Sequence, residues 1–346
     1  MDKLKVGIIG VGGIAQSRHI PAFQALEDRV EIIAVQDVNQ DRAKEVAAKY
    51  DIPRTFVQYH DLFVHVNAVV ICTPNKFHAE ITVAALEAGV HVLCEKPMAM
   101  TTEECERMIS AAKQSGKQLA IAYHYRHTDN AKLAKQAVLH QEIGEPLVTR
   151  VQALRRRKVP GWGVFTNKEL QGGGSLIDYG CHLLDLAIWL LGDPEPVEVL
   201  GTTYNRLSKL PNQINDWGTF DHATFEVDDH VTSYITFDNG ISMQMECSWA
   251  ANIKEDTRHL SISGVDGGLS LYPFELYQPK LGTFMRSDAK VEHNETNAGY
   301  IQAENFVDSC LGQDELVVKP EQALKVTKII DAIYQSSDTG SSVKLK

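Results

Sequence analysis

Through residue 123, short apolar runs alternate with stretches of helical pattern. That rhythm leaves little choice but a parallel sheet with helices on both faces. The runs are KVGIIG, VEIIAVQD, AVVICTP, HVLCEKP and QLAIAYH. Helices are predicted to about Leu26 and across DRAKEVAAKY, HAEITVAALEAG and TTEECERMISAAKQSG. VGIIG and AVVIC lack polar alternation, as strands buried on both sides do. The first run leads straight into Gly10-Val11-Gly12-Gly13-Ile14-Ala15, a G-x-G-x-x-A pattern at the mouth of a helix. Glycine is needed there because the backbone must turn tightly and approach a pyrophosphate, which then rests against the helix N-terminal amides. Asp37 ends the second strand 22 residues after Ala15. That is close to the ~20-residue offset at which an acidic side chain accepts from a ribose 2′-hydroxyl. The expected fold class is α/β, with an N-terminal Rossmann NAD(P)-binding domain over residues 1–122. NAD is favoured over NADP, because a carboxylate at 37 repels a 2′-phosphate and no Arg follows in VNQ, although Arg42 lies further on and within reach.

After about Tyr123 the rhythm changes. One helix is predicted near residues 129–141 and another over IDYGCHLLDLAIWLLG. Strand-like segments follow: VEVLGTTYN, DHATFEVDD, HVTSYITFDNG, ISMQMECSWA and HLSISGVDGG. Asn239-Gly240 between two β-rich runs signals a hairpin. Helical stretches near 301–312 and 321–336 close the chain. Residues 123–346 are therefore expected to form an α+β domain on an open, mostly antiparallel sheet. Its strands outnumber the helices available to cover them, so a homodimer or homotetramer is expected.

Bulk properties narrow the partners. A net charge of −11 argues against nucleic acid, which needs clustered Lys and Arg. Cys72, Cys94, Cys105, Cys181, Cys247 and Cys310 are scattered without a C-x-x-C pair, which fits a reducing cytoplasm. The N-terminus reads as a strand rather than a signal peptide, and no uncharged apolar run approaches the ~20 residues of a membrane helix. No membrane partner is expected.

The segment GGGSLIDYGCHLLDLAIWLLG, residues 172–192, places Asp178, His182 and Asp185 at intervals of four and three, on one face of a helix. Cys72-Thr73-Pro74-Asn75 and Glu95-Lys96-Pro97 fall at the carboxyl ends of predicted strands, where open α/β sheets bind ligands. From position alone Lys96 is either a site residue or a solvated surface lysine. Asp and His at helical spacing can also ligate zinc or iron. No cysteine or further histidine cluster supplies the remaining ligands, so no metal is expected.

Four motifs in order, G-x-G-x-x-A, C-T-P-N-x-x-H ending at His78, E-K-P at 95–97 and G-G-G-x-L-I-D-x-G-x-H-x-x-D at 172–185, resemble the glucose-fructose oxidoreductase / inositol dehydrogenase / MocA family. The terminal Tyr334-Gln335-Ser336-Ser337 with Gly340 resembles the family's usual ending, so the likeness spans essentially the whole chain. It implies a Rossmann domain followed by an α+β domain whose open sheet commonly mediates oligomers, and oxidoreduction of sugars or cyclitols with NAD(P). Carried over by residue, the cofactor would meet Gly10, Gly12, Gly13, Ile14, Asp37, Thr73, Pro74, Asn75, His78, Glu95 and Lys96, while Lys96, Asp178 and His182 match types used around the reactive hydroxyl.

The chemistry suits those types. Oxidising a secondary alcohol needs a base for the hydroxyl proton, a role for the His182 imidazole near neutral pH. A cation beside the oxygen, Lys96, stabilises developing alkoxide. Asp178 would orient Lys96 or bind a neighbouring hydroxyl; Asp185 is read as a structural residue before a partner of His182. Tyr125-Arg126 would reach cofactor or substrate, or make an ordinary salt bridge. Trp162 would stack on nicotinamide or a sugar, or belong to the core. Arg155, Arg156, Arg157 and Lys158 lie on a strand, whose alternation works against one compact anion patch. The leading expectation is an NAD-dependent dehydrogenase acting on a ring hydroxyl of a sugar, sugar derivative or inositol. The alternatives are an NAD-dependent glycosidase using transient oxidation, and a non-catalytic ligand-sensing regulator.

Overall fold

The apolar runs of the first third pair side by side. A computed structural model describes residues 3–289 and 295–345. In it β1 (Leu4–Ile9), β2 (Val30–Gln36), β3 (Arg54–Phe56), β4 (Ala68–Ile71), β5 (His91–Cys94) and β6 (Leu119–Ile121) form a sheet in the order β3-β2-β1-β4-β5-β6. Every neighbouring pair in it is parallel. β3 is the strand that the hydrophobic pattern missed: it has three residues, none fully buried. Strand order reverses between β1 and β4, and a crevice at the carboxyl ends of the strands is the result.

The core of this unit is built from Val6, Ile8, Val35, Val70 and Leu93 with Phe23 beneath them. The helix Glu295–Cys310 joins it, contributing Ala303, Phe306 and Val307, with Phe306 edge-on to Phe23 at 6.3 Å. The first unit is therefore Met1–His127 with Asn294–Leu324, and the second is Thr128–His293 with Lys325–Lys346. This departs from a single boundary at 122/123. The apolar face of a helix far along the chain covers the first sheet, and hydrophobic periodicity does not say which core a helix will join.

In the second unit β7 (Pro146–Leu154), β8 (Pro196–Tyr204), β9 (His230–Phe237), β10 (Ser242–Ser248), β11 (Thr257–Gly264), β12 (Gly268–Leu271), β13 (Glu275–Lys280), β14 (Thr283–Asp288) and β15 (Val343–Lys344) form a sheet in the order β14-β13-β12-β11-β7-β10-β9-β8-β15. Among the described residues β7 and β10 run parallel and the other neighbouring pairs antiparallel. The β9–β10 hairpin turns at Asn239-Gly240, where Gly240 has φ +82°. The segment 221–229, expected as a strand, is irregular instead. Its Asp228 and Asp229 carboxylates accept from amides of Gly174, Leu176 and Ser208, so the segment works as a clamp for other backbone.

Candidate active site

At the end of β1, Gly10 takes φ +81°, and a Cβ there would lie 2.9 Å from the backbone of Cys72 and Thr73. Only glycine lets the chain turn this close to β4. Gly12 and Gly13 face open space, with nothing within 4 Å of an added Cβ. That leaves an uncovered backbone cradle just before the helical turn Ala15–His19. At the tip of β2, Asp37 is buried and accepts from the Val11 amide at 2.9 Å and the Asn39 amide at 2.9 Å. Arg42 grips the same carboxylate with two nitrogens, at 3.1 and 2.7 Å. Burial alone would raise the Asp37 carboxyl; the Arg42 hydrogen bond and the two amides outweigh it and hold the group below its usual value. Open glycines, an ionised carboxylate at the second strand's tip and a sheet reversal beside them fit an adenine dinucleotide.

The ends of β4 and β5 are tied together by His78. Its Nδ1 lies 2.9 Å from the Pro97 carbonyl and its Nε2 3.0 Å from the Thr73 carbonyl. The ring is buried, which lowers its pKa, although the two carbonyls pull the other way. Both nitrogens being engaged, His78 braces the Thr73-Pro74-Asn75 and Lys96-Pro97 loops. Lys96 is half-buried directly after β5. Its own amide donates to Glu95 Oε2 at 3.0 Å, while His19 Nε2 donates to Glu95 Oε1 at 2.7 Å and Arg18 sits 3.8 Å away. Burial would raise the Glu95 carboxyl; His19, then Arg18 and Lys96, outweigh it and keep it ionised far below the ordinary range. Glu95 is thus an anchor under the lysine loop, bonded to residues that no sequence motif had singled out.

In the second unit two of the three glycines, Gly173 and Gly174, are explained by Tyr334 and Asp228, while Gly172 caps the turn Lys168–Gln171 with φ +81°. A Cβ on Gly174 would come within 2.0 Å of the Asp228 carbonyl oxygen, and one on Gly173 within 2.0 Å of the Tyr334 hydroxyl. The Asp228 carboxylate accepts from Gly174 N at 2.7 Å, Leu176 N at 3.0 Å, Ser175 Oγ at 2.8 Å and Tyr334 Oη at 2.6 Å. Four donors on one buried carboxylate fix where the next helix starts. That helix opens with a π-turn, Leu176–Gly180, and continues as the α-helix Cys181–Leu190. Asp178 lies in the wide turn and His182 and Asp185 beyond it, so the three do not belong to one uniform α-helix. Gly180 lets the turn press onto β10, where a Cβ would meet Cys247 Sγ and Met245 at 2.9 Å.

The three polar residues form a gradient of burial. The Asp178 side chain is 18% exposed, His182 is 7% exposed and Asp185 is fully buried. This face is therefore not simply wetted by solvent. Asp178 Oδ2 accepts from Trp249 Nε1 at 3.1 Å and from Arg155 Nη1 at 3.5 Å. The Arg155 guanidinium itself lies over the Tyr179 ring at 4.1 Å and over Trp217 at 4.5 Å. A carboxylate fixed by an indole and a guanidinium keeps one orientation for whatever it meets. Among the described residues no group of three or more His, Cys, Asp or Glu is arranged to hold a metal ion.

The family model "Oxidoreductase family, NAD-binding Rossmann fold" matches residues 4–123, and "Oxidoreductase family, C-terminal alpha/beta domain" matches residues 135–345. The chain belongs to the glucose-fructose oxidoreductase / inositol dehydrogenase / MocA family. It is 37% identical over 349 residues to the D-glucoside 3-dehydrogenase of Escherichia coli (strain K12), covering 99% of this chain and 97% of that one. It is 31% identical over 217 residues to the inositol 2-dehydrogenase of Salmonella typhimurium (strain LT2), covering 62% and 61% of the two chains. In structure it resembles the aldose-aldose oxidoreductase from Caulobacter crescentus complexed with glycerol, with TM-score 0.82 and 26% identity over 99% of this chain and 100% of that one. As a member of the glucose-fructose oxidoreductase / inositol dehydrogenase / MocA family the protein is an oxidoreductase, and its first unit is an NAD-binding domain.

Other residues marked by the family resemblance fall in different surroundings. Arg126 is 1% exposed and donates to the Val317 carbonyl at 3.2 Å and to Gln322 Oε1 at 2.5 Å, within the first unit. These two bonds make it a buried brace between the turn after β6 and the segment 317–322. Tyr125 is buried edge-on to His124 at 4.8 Å. Trp162 is 53% exposed, so it is no core residue. The basic run disperses: Arg155 turns to Asp178, Arg157 to Asn252, and Arg156 and Lys158 to the 254–256 loop. Sequence reasoning missed Trp249 and Trp217, because neither lies in a motif; only the fold brings them to Asp178 and Arg155.

Proposed function

We propose that the protein is an NAD-dependent dehydrogenase acting on a ring hydroxyl of a sugar, sugar derivative or inositol. The observation that carries this reading is the Asp178–His182 pair, shielded and oriented on a helix whose start is fixed by a buried carboxylate, in a chain of this oxidoreductase family. The names of its relatives, a glucoside dehydrogenase and an inositol dehydrogenase, support the substrate class.

Bound NAD would supply the hydride acceptor, held over Gly10, Gly12, Gly13 and Ile14, with Asp37 toward the adenosine ribose and Thr73, Pro74, Asn75 and Lys96 at the strand ends. His182 takes the hydroxyl proton as general base. The Lys96 ammonium would steady negative charge on a substrate oxygen, and in the reverse direction polarise the carbonyl. Asp178, locked by Trp249 and Arg155, accepts from a neighbouring substrate hydroxyl. NAD is preferred to NADP, since Arg42 is already paired with Asp37 and offers no unbalanced positive charge for a 2′-phosphate.

Two further readings accompany this. A homodimer or homotetramer is supported by the sheet face carrying exposed Leu200 and Tyr234, paired in register on β8 and β9. A cytoplasmic setting is supported by all six cysteines being thiols rather than disulfides. Among the described residues no helix is long and apolar enough to cross a membrane. The deciding experiment is a panel of sugars, glycosides and inositols scored by NADH absorbance. Turnover of at least one, with NAD above NADP, is expected; a wholly inert panel would defeat the reading.

A further inference from the structure

The aromatic residues beside Asp178 form more than a support for it. Trp162 and Trp217 pack ring to ring with centroids 5.4 Å apart and planes tilted by 50°, and both stay open to solvent, at 53% and 38%. Exposed indoles in contact are unusual on a protein surface, because each leaves a large apolar area in water. This pair is also held rigidly. Asn215 accepts from the Val159 amide at 2.8 Å and donates to the Val159 carbonyl at 3.0 Å and the Gly218 carbonyl at 2.7 Å. The Asp216 amide donates to the Arg157 carbonyl at 2.8 Å. The loop bearing Trp217 is thereby laced to the strand-end segment leading to Trp162. Gly161 lets that segment approach Phe220, where a Cβ would lie 2.6 Å from the Phe220 Cβ. Phe165 and Phe220 rest on the buried cluster of Val159, Phe225, Val227, Trp249 and Ala250.

The platform is joined to the proposed site by one side chain. Arg155 stacks 4.5 Å over Trp217 and reaches Asp178 Oδ2 at 3.5 Å. A ligand whose hydroxyl meets Asp178 would have its next ring about one guanidinium away, at the indoles. Indole faces take the C–H face of a pyranose or the π-face of an aryl group, each of which is flat and mostly apolar. We infer that Trp162 and Trp217 form a subsite for a second ring, so that the substrate is a glycoside, a disaccharide or an aryl glycoside, in preference to a free monosaccharide. This rests on the dehydrogenase reading above and specifies its substrate.

The test measures kcat/KM with NAD for methyl glucoside, phenyl glucoside and a glucosyl-glucose disaccharide, in wild type, Trp217→Ala, Trp217→Phe and Trp162→Ala. Quenching of tryptophan emission by the same sugars is followed in the NAD-loaded protein. The wild type is expected to favour a two-ring substrate by roughly ten-fold, the size of one good aromatic contact. Trp217→Ala should bring that ratio close to one, and Trp217→Phe should keep most of it. A preference for the phenyl compound alone assigns an aryl aglycone, and for the disaccharide alone a second sugar. No preference in wild type, or one that survives both alanine variants, overturns the subsite. Should Trp217→Ala fail to fold, Trp162→Ala reads the same ratio from the more exposed indole. If no sugar is turned over, the dehydrogenase reading fails by itself. The subsite is then judged on quenching: a two-ring sugar that quenches where methyl glucoside does not upholds it, and equal or absent quenching overturns it.

Discussion

At the scale of the residue, two carboxylates are held by contacts that set distinct expectations. Asp37 shares its charge with Arg42 and two amides. Asp37→Ala should weaken NAD by roughly ten-fold to a hundred-fold, the value of a charged hydrogen bond, and raise NADP relative to NAD because Arg42 is released. Isothermal titration with both dinucleotides checks this; an unchanged ratio would reject it. Glu95 is buried against His19, and its folded pKa lies below its unfolded one. Its stabilisation is therefore complete above the ordinary Glu pKa of about 4.3 and is lost as pH falls from there through the folded value. Glu95→Gln should cost about 3 kcal/mol at pH 7, with the gap to wild type narrowing below about pH 4, read by urea unfolding across pH. At the proposed chemistry, His182→Asn should stay folded and lose ~10²- to 10⁴-fold in turnover. Lys96→Met should lose at least as much, because it removes the charge facing the alkoxide. Near wild-type turnover in a folded His182→Asn protein would move the base elsewhere.

At the scale of the element, the helix carrying Asp178 and His182 is positioned from outside itself. Its first amides end on Asp228, and Asp228 is held by Tyr334, which burial and the neighbouring carboxylate keep protonated as a donor. The π-turn at Leu176–Gly180 then widens the helix where Asp178 projects, a distortion often found at functional sites. Gly174→Ala drives a methyl into the Asp228 carbonyl and should destabilise the protein by about 1–3 kcal/mol or more. Tyr334→Phe should cost only about 1 kcal/mol, because Gly174 still donates to the same Asp228 oxygen. Thermal melting of the two variants checks the order. Equal losses would mean that the backbone yields to the added methyl and that the close approach to Asp228 does not demand glycine.

At the scale of the whole molecule, the second sheet has one face turned to helix and one to solvent. Gly201 of β8 packs against Ile333 of the helix Pro320–Thr339, while Leu200 beside it is exposed and in register with exposed Tyr234 of β9. An apolar pair on an open sheet face is where a second copy would bury surface. Wild type should sediment as a dimer or tetramer at micromolar concentration, and Tyr234→Asp should shift it to monomer while the fold survives. A monomeric wild type would refute the assembly.

The sequence by itself determined five of the six strands of the first sheet, the glycine turn with Asp37, and the motifs that mark Lys96, Asp178 and His182. The strands and the turn follow from local rules, since buried strands show as unbroken apolar runs and a tight turn demands glycine, whereas Lys96, Asp178 and His182 are marked by the family resemblance. Tertiary structure decided what those rules do not reach. It assigned the helix Glu295–Cys310 to the first core, spread the Arg155–Lys158 run over separate partners, and turned DHATFEVDD from an expected strand into the clamp around Asp228. It also made Arg126 a buried brace and brought Trp217 and Trp249 to Arg155 and Asp178 from distant parts of the chain. Such contacts depend on which surfaces meet after folding, and the partners are 54 residues apart for Asp228 and Gly174 and 71 for Trp249 and Asp178. No period of 2 or 3.6 residues encodes a meeting at that range.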